Sequence, residues 1–323
     1  MGSGWCRHVP CAAAALSPLK GMPSPHASST LPPSNFWLRL PPNFRGIMWL
    51  SMGAFLFAVV DVFVKSLGGR FDPLQISFFR YGCGLIFLVP VFIGLGAANM
   101  KTERLPLHLL RMFLAFAAQL GIFITVIYMP LAEATAFMFS KPLFTTVVAV
   151  FVLHEVVTRQ RWSATIVGFI GVLVLVRPGA DAFDPLALVA VASALTFAIA
   201  NVLIRKLSTT EPTGRILFYY HIGGVLLFLW PAAYVWTMPV GIEWLKLIGI
   251  GGLTTLGIFG FMRAFAVGEA NAVGPAENVR LIYAALFGYF LFAEIPSIWT
   301  GVGALIIVAS TYYIAQVEAR KRS

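Results

Sequence analysis

An all-α membrane protein of ten transmembrane helices, arranged as two inverted repeats of five, is the fold class that the sequence predicts. Its composition is apolar: 59% of the 323 residues are hydrophobic, only 11% are charged, and the mean hydropathy is +0.85. A soluble domain is about one quarter charged. Many apolar stretches reach the roughly 20 residues that a helix needs to cross the hydrocarbon layer. These stretches form two sets of five, so the second set enters the membrane with opposite polarity, as in an inverted-repeat transporter.

The predicted spans follow one another with short connections. The first set covers residues 46–67, 73–95, 107–127, 132–153 and 163–176, and the second covers 185–204, 216–236, 244–267, 270–292 and 297–317. In each half a long apolar helix closes on a glutamate, Glu155 or Glu294, and another apolar helix follows. The segments are too long and too weakly alternating for outer-membrane strands. The first repeat is therefore predicted at 46–178 and the second at 183–317.

The chain ends differ from the spans in composition. Residues 1–45 are rich in Pro, Ser and Ala, which is typical of a disordered tail, and residues 318–323 form a basic tail. Met22 is an alternative start, so the sequence leaves open whether the preceding residues belong to the protein. Cys6, His8 and Cys11 do not match a zinc-ligand spacing. No metal or other cofactor is expected.

The net charge of +10 is explained by topology and does not indicate a nucleic-acid partner. With the N-terminus inside, the cytoplasmic ends carry Arg39, Arg45, Lys101, Arg104, Arg159, Arg161, Arg205, Lys206, Arg215, Arg320, Lys321 and Arg322, whereas the outer loops carry Arg70, Arg177 and Lys246. This positive-inside bias predicts that both termini are cytoplasmic. The expected location is the inner membrane of a bacterium.

Several motifs resemble a known family. One motif occurs in both halves and is similar to the EamA-type modules of the drug/metabolite transporter superfamily. In the first half it consists of Ala132, Ala134, Ala136, Pro142-Leu143-Phe144 and Glu155, and in the second of Phe265-Ala266, Ala270, Ala272, Pro275 and Glu294. The resemblance covers about residues 46–317. Five further segments resemble the bacterial S-adenosylmethionine uptake branch of this superfamily and its riboflavin-transporter relatives. They are Asp61-Val62-Phe63-Val64-Lys65, Phe78-Phe79-Arg80, Gln160-Arg161-Trp162, Gly168-Phe169-Ile170-Gly171 and Arg263-Ala264-Phe265.

Charged residues inside apolar segments are candidates for function, because burying a charge in the bilayer is costly. The basic ones are Lys65, Arg80, Arg111, Lys141, Arg263 and Arg280, and the acidic ones are Asp61 and Glu277. Lys141 and Arg280 each precede the glutamate that ends their helix by fourteen residues, or about 21 Å of helix. In inverted repeats the two cations should straddle the midplane and hold an anionic group of the substrate. Alternatively, each pairs with an internal carboxylate such as Glu277, or extends to the membrane surface.

A comparable role is implied by the resemblance, since the sugar-phosphate branch of the superfamily binds phosphate with lysine and arginine on comparable helices. Pro142 directly follows Lys141 and should kink that helix. A packing kink and a break that lines a cavity are both consistent with it.

Asp61 and Lys65 are four residues apart and can pair on one face of the first helix. The pair is either structural, or Asp61 is a protonatable carboxylate that couples transport to the proton gradient. Arg80 lies about 12 Å into the second helix, where it can compete for Asp61. Arg80 and Glu277 are also predicted to bind the substrate, together with Lys141 and Arg280.

Aromatic residues at the predicted cavity could stack on a planar substrate ring. The candidates are Tyr128, Phe139, Tyr219, Tyr220 and Tyr283. Tyr283 is three residues beyond Arg280 and should share its face. Glycines in Gly168-x-x-Gly171, Gly249-x-Gly251-Gly252 and Gly257-x-x-Gly260 indicate close helix packing.

These observations predict a secondary transporter of a small organic metabolite that works by alternating access between its halves. No Gly-x-x-x-x-Gly-Lys-Ser/Thr loop occurs, so energy should come from an ion gradient, such as protons, or from exchange. Uptake of an aromatic or nucleoside-like compound, of the S-adenosylmethionine or riboflavin type, is favoured over export of amino acids or drugs. The sequence lacks the motifs expected of a membrane-embedded enzyme. A channel is the remaining alternative. The partners expected are the substrate and lipid, and the sequence is compatible with a homo-oligomer.

Overall fold

The computed structural model describes residues 40–95, 101–153, 157–178, 184–269 and 273–320. The helices are α1 Pro42–Leu67, α2 Pro73–Leu95, α3 Leu105–Tyr128, α4 Leu131–Met138, α5 Lys141–Leu153, α6 Arg159–Val176, α7 Leu186–Ser208, α8 Thr213–Tyr234, α9 Ile242–Val267, a 3₁₀ helix Gly274–Asn278, α10 Val279–Phe292 and α11 Ile298–Arg320. Within these ranges no strand occurs. The predicted all-α fold is confirmed.

Nine helical segments of the described chain are long and apolar enough to cross a membrane, with α4 and α5 counted together as one. The predicted span at 270–292 is not one continuous helix. Its first three residues lie outside the described ranges, and a 3₁₀ helix precedes α10. Gly274-Pro275 accounts for the irregular start, because glycine favours no helix and proline donates no backbone hydrogen bond.

Two helices extend beyond the predicted spans. The tail was predicted to end at residue 45, yet α1 begins at Pro42, since proline is well suited to the first helical turn. The basic tail was predicted from residue 318, yet α11 continues to Arg320. Most of both tails, and Glu155, Ala270 and Ala272, lie outside the described residues.

The bundle has two ends, which follow from the alternating direction of the spans. The "terminus end" is the end where α1 begins and α11 ends. There Asn43, at the start of α1, accepts a hydrogen bond from the backbone of Glu269 after α9, at 2.9 Å. The "far end" is the end where α1 and α10 finish. An aromatic cluster of Phe78, Phe79, Trp236 and Trp244 packs there, with ring centroids 5.6–6.1 Å apart.

Glycines let the central helices approach each other closely. A Cβ atom added at Gly251 of α9 would lie 2.8 Å from the backbone nitrogen of Gly84 in α2. One added at Gly260 would lie 3.1 Å from the carbonyl oxygen of Trp49 in α1. These positions belong to the predicted glycine motifs, and the close packing of α9 against α1 and α2 depends on them. By contrast, large apolar side chains such as Trp230 and Phe290 are 84% and 73% exposed, as expected for surfaces that face lipid.

Candidate functional site

A central cavity of about 380 Å³ lies between the helices of both halves. Sites for small molecules typically measure about 300–1,000 Å³. The polar side chains that line it are Asp61, Arg80, Arg111, Gln119, Lys141, Asn201, Tyr220, Thr254, Glu277 and Arg280, and the aromatic ones besides Tyr220 are Phe57, Phe123, Phe197 and Phe261. The lining thus combines aromatic rings with charges of both signs.

Two broken helices bring Lys141 and Arg280 to this cavity. α4 ends at Met138, and α5 begins at Lys141 after a two-residue break in which Ser140 bonds back to the carbonyl of Phe137, at 2.6 Å through its hydroxyl. Pro142 cannot donate a backbone hydrogen bond, which favours a new helix start here. Arg280 is the second residue of α10, directly after the 3₁₀ helix.

The two helix starts face the cavity from opposite directions. α5 runs from the middle of the bundle to the terminus end, whereas α10 runs from the middle to the far end. A helix N-terminus carries a partial positive charge, and half-helices that end at the bilayer midplane often direct it at anionic groups. Lys141 and Arg280 add full positive charges at the same two places.

Carboxylates from other elements compensate these two cations. Arg280 donates to Asp61 of α1, with Nη2 and Oδ2 2.6 Å apart. Glu277, in the 3₁₀ helix, lines the cavity beside them and, with Asp61, acts electrostatically on Lys141. The Lys141 ammonium lies over the Phe197 ring, 4.7 Å from its centroid. The predicted alternative, pairing with an internal carboxylate, therefore holds for Arg280, although the partner is Asp61.

A second group of cations lies on α2 and α3. Arg80 donates to the hydroxyl of Tyr220 in α8 at 3.3 Å, and its guanidinium lies over the Tyr81 ring, 5.0 Å from the centroid. Arg111 lies over the Tyr220 ring, 4.9 Å from the centroid, and donates to the carbonyl of Ile216 at 3.3 Å. Tyr81 donates to Tyr220 at 3.1 Å. Arg80 does not contact Asp61, contrary to the prediction that it competes for it.

A larger cavity of about 790 Å³ lies next to the central one, towards the terminus end. The two share Met138, Lys141, Asn201 and Glu277. The larger cavity is also lined by Arg161 at the start of α6 and Arg205 near the end of α7. Phe139, a predicted site residue, lines this larger cavity rather than the central one. The two cavities are therefore neighbours, and the larger one lies on the terminus-end side of the central cavity.

Polar contacts join elements of the two halves at the far end. Lys65, near the end of α1, pairs with Glu294 beyond α10 at 2.5 Å and donates to the carbonyl of Met129. The other oxygen of Glu294 accepts from the backbone of Leu131 at 2.7 Å. Ala293 adopts a left-handed conformation with φ of 53°, and the backbone N–H of Glu294 donates to the carbonyl of Gly288 at 3.0 Å, which satisfies a carbonyl near the end of α10. We call this set of contacts the far-end seal.

The predicted pairing of Asp61 with Lys65 was wrong. Although the spacing places both on one helix face, Asp61 pairs with Arg280 near the middle of the bundle and Lys65 pairs with Glu294 at its end. A turn of helix separates the two residues by about 6 Å along the axis. Different elements of the second half therefore reach each of them.

Some predicted aromatic residues lie away from both described cavities. Tyr128 is 62% exposed, and Tyr283 packs edge-on against Phe55 of α1 with ring centroids 5.4 Å apart. Tyr219 stacks on His108 near the terminus end. Sequence reasoning did not select Arg111 or Asn201. Arg111 was one of the charges inside apolar segments, which is the signal that could have identified it.

The fold agrees with comparisons to known proteins. A family model described as the EamA-like transporter family matches residues 44–177 and again 185–316. The chain is 32% identical over 279 residues to an S-adenosylmethionine uptake transporter of Rickettsia prowazekii (strain Madrid E), which covers 86% of this chain and 95% of that protein. It is 30% identical over 287 residues to a riboflavin transporter of Vibrio cholerae serotype O1, with the same two shares.

A solved crystal structure shares the fold. It is 18% identical, covers 87% of this chain and 98% of the other, and superposes with a TM-score of 0.59. The double family match confirms the predicted repeats, and the relatives confirm the resemblance drawn from the sequence. The chain belongs to the EamA-like transporter family, and it is a multi-pass membrane protein that transports a small metabolite rather than an enzyme.

Proposed function

We propose that the protein takes up S-adenosylmethionine across a bacterial inner membrane. The observation that carries this proposal is the mixed lining of the central cavity, where Lys141 and Arg280 stand beside Asp61 and Glu277 and aromatic rings line the same space. S-adenosylmethionine has an aromatic purine, a carboxylate, an ammonium and a sulfonium. A substrate with charges of both signs can satisfy groups that would otherwise remain desolvated. The similarity to the Rickettsia transporter supports the same substrate.

Riboflavin is the second candidate, supported by the Vibrio cholerae relative. Its ring system would stack on the cavity aromatics, but the molecule carries no charge at neutral pH. Binding it would bury the charged lining against a neutral ligand, which costs free energy without compensation. The charged lining therefore favours S-adenosylmethionine. Export of amino acids or drugs remains the alternative to uptake.

Transport would proceed by alternating access. In this conformation a larger cavity adjoins the central one on the terminus-end side, and the Lys65–Glu294 pair joins the two halves at the far end. If the termini are cytoplasmic, as the positive-inside bias predicts, the conformation faces inward. If the far-end seal opened and the larger cavity closed, the central cavity would become accessible from the opposite side of the membrane. Asp61 is the proposed coupling carboxylate, since protonation would weaken its pair with Arg280.

Uptake into proteoliposomes tests the proposal. Radiolabelled S-adenosylmethionine should enter in a saturable manner, and unlabelled S-adenosylmethionine preloaded inside should accelerate entry by counterflow. A proton gradient, acidic outside, should increase the initial rate. Protein-free liposomes and an Arg263→Gln variant, whose cation lies over Phe259 and lines neither described cavity, serve as controls. Saturable riboflavin uptake without S-adenosylmethionine uptake would assign the second candidate instead.

A further inference from the structure

The lining of the central cavity carries more positive than negative charge. Its cations are Arg80, Arg111, Lys141 and Arg280, and its carboxylates are Asp61 and Glu277, so the formal charge is +2. Asp61 pairs with Arg280, and Glu277 acts electrostatically on Lys141. The excess positive charge therefore belongs to Arg80 and Arg111.

Arg80 and Arg111 have no acidic partner among the described residues. Their side-chain contacts go to the hydroxyl and rings of Tyr81 and Tyr220 and to the carbonyl of Ile216. Arg111 is only 5% exposed, and its Nε is buried without a hydrogen-bond partner in the described structure. Arg111 lines the central cavity, and its hydrogen bond to Ile216 uses one of the five donors of a guanidinium.

Tyr220 fixes the two guanidiniums relative to each other. Arg80 binds its hydroxyl and Arg111 lies over its ring, while Tyr81 binds the same hydroxyl and stacks on Phe228 with centroids 5.6 Å apart. The rings restrict the arginine side chains before a ligand arrives, which lowers the entropy lost on binding. Guanidinium groups bind carboxylates with two parallel hydrogen bonds.

We propose that Arg80 and Arg111 bind the carboxylate of the substrate. This inference rests on the proposed uptake of S-adenosylmethionine, and it moves the anion subsite away from Lys141 and Arg280, where the sequence predicted it. Asp61 and Glu277 then face the ammonium and sulfonium end of the same molecule. The purine takes the remaining space beside Phe57, Phe197 and Phe261.

Equilibrium binding to the purified protein in detergent tests this assignment with two ligands. One is S-adenosylmethionine and the other is its decarboxylated form, which keeps the purine, the sulfonium and the amine. Wild-type protein should bind the decarboxylated form about 10- to 100-fold more weakly, as expected for the loss of charge-assisted hydrogen bonds. Equal affinity for both ligands would overturn the inference without any variant.

Variants locate the subsite, because repulsion by the whole cavity also disfavours the decarboxylated ligand. Arg111→Gln should weaken S-adenosylmethionine binding about 10- to 100-fold without weakening that of the decarboxylated form, so that the selectivity disappears. Arg80→Gln should act in the same direction. A merely structural role would weaken both ligands equally. Arg263→Gln, outside the cavity, should change neither.

Lys141→Gln separates the two possible anion subsites. It should retain selectivity for the carboxylate; if it alone removes that selectivity, the carboxylate is bound at Lys141 and Arg280 and the inference is wrong. Protein that binds neither ligand, while unfolding cooperatively on heating, would instead refute the proposed substrate and the inference with it. Binding of S-adenosylmethionine without carboxylate selectivity would refute the inference alone.

Discussion

Asp61 and Arg280 join the two halves of the protein through single side chains. Asp61 belongs to the first repeat and Arg280 to the second, and their side chains are only 5% and 18% exposed. Removing one partner of a buried pair leaves the other charge uncompensated, which is more costly than removing both. Breaking the ion pair should therefore change both the free energy of unfolding and the rate of transport.

Asp61→Asn should destabilise the protein by about 3 kcal/mol, the lower end for a broken buried pair, because Arg280 retains contact with the cavity. Thermal unfolding in detergent would measure the loss. The double variant Asp61→Asn/Arg280→Gln should be more stable than the single variant, since no buried charge remains unpaired. Equal stability of the two variants would show that the pair contributes nothing.

The same variant tests the proposed coupling role. Wild-type uptake should increase with an inward proton gradient, whereas Asp61→Asn should transport at a rate that does not depend on that gradient. Initial rates in proteoliposomes with and without the gradient give the comparison. A variant that retains the full proton dependence would remove Asp61 as the coupling group.

Glu211, between α7 and α8 at the terminus end, is held in a network of hydrogen bonds and ion pairs. It pairs with the buried His108 at 2.6 Å and accepts from Thr102. Burial alone would raise the pKa of Glu211, but the hydrogen bonds from Thr102 and His108 and the nearby charges of His108 and Arg215 hold it below its ordinary value. The network links the start of α3 to the loop before α8.

A lowered carboxylate pKa makes stability depend on pH. Because the folded state binds the Glu211 proton less readily than the unfolded state, its contribution is fully present above about pH 4.5 and is lost as the pH falls through the lower folded value. The melting temperature of the wild type should therefore fall between pH 6 and pH 3.5. The melting temperature of the Glu211→Gln variant should fall less over this interval than that of the control variant Glu269→Gln, which changes an exposed residue. Parallel curves for the two variants would contradict the prediction.

Among the secondary-structure elements, the contact of α9 with α2 depends on a glycine. A side chain at Gly251 would meet the backbone of Gly84 and, at 3.1 Å, the carbonyl of Arg80. Backbone atoms cannot move aside as a flexible side chain can. The helices would have to separate, which would also shift Arg80 at the cavity.

Gly251→Ala should lower the free energy of unfolding by about 1–3 kcal/mol, the usual cost of overpacking. Gly82→Ala is the matched control, because a Cβ there meets nothing within 4 Å. It should be neutral or stabilising by up to about 1 kcal/mol, since alanine favours the helix. Thermal unfolding of both variants provides the measurement, and similar effects would argue against a close contact at Gly251.

The sequence predicted positions along the helices better than contacts between them. Apolar length identified the spans, and counting from Glu294 placed Arg280 at mid-depth. The partners of charged residues depend on which helices are neighbours, and a single sequence does not contain that information. Lys65 was therefore assigned to Asp61 when its partner is Glu294. Tyr283 is three residues from Arg280, and the offset of about 60° between such positions is enough to turn it towards Phe55.

For the molecule as a whole, the far-end seal should determine which side of the membrane reaches the cavity. The Lys65–Glu294 pair is largely buried, with side chains 11% and 17% exposed, and it connects the first repeat to the second. Its loss would remove contacts made in one conformation only. The equilibrium should then shift towards the state that opens at the far end.

Glu294→Gln should increase labelling from the far end about tenfold, which corresponds to a shift of about 1.4 kcal/mol. The probe is Val64→Cys, a fully buried position beside Lys65, in protein whose native cysteines have been replaced. A membrane-impermeant maleimide reports its accessibility in intact cells. Glu243→Gln is the control, because it breaks the more exposed Arg70–Glu243 pair at the same end. An equal increase in the control would show that the seal has no special role.

The aromatic cluster at the far end has a practical consequence for observing these movements. Trp236 and Trp244 both contact Phe79 of α2, while their own positions are after α8 and at the start of α9. If α2 separates from these segments when the far end opens, both indole rings pass from an apolar contact to water. Their emission would then shift to longer wavelength, so two of the eight native tryptophans would report the opening of the far end without an attached dye.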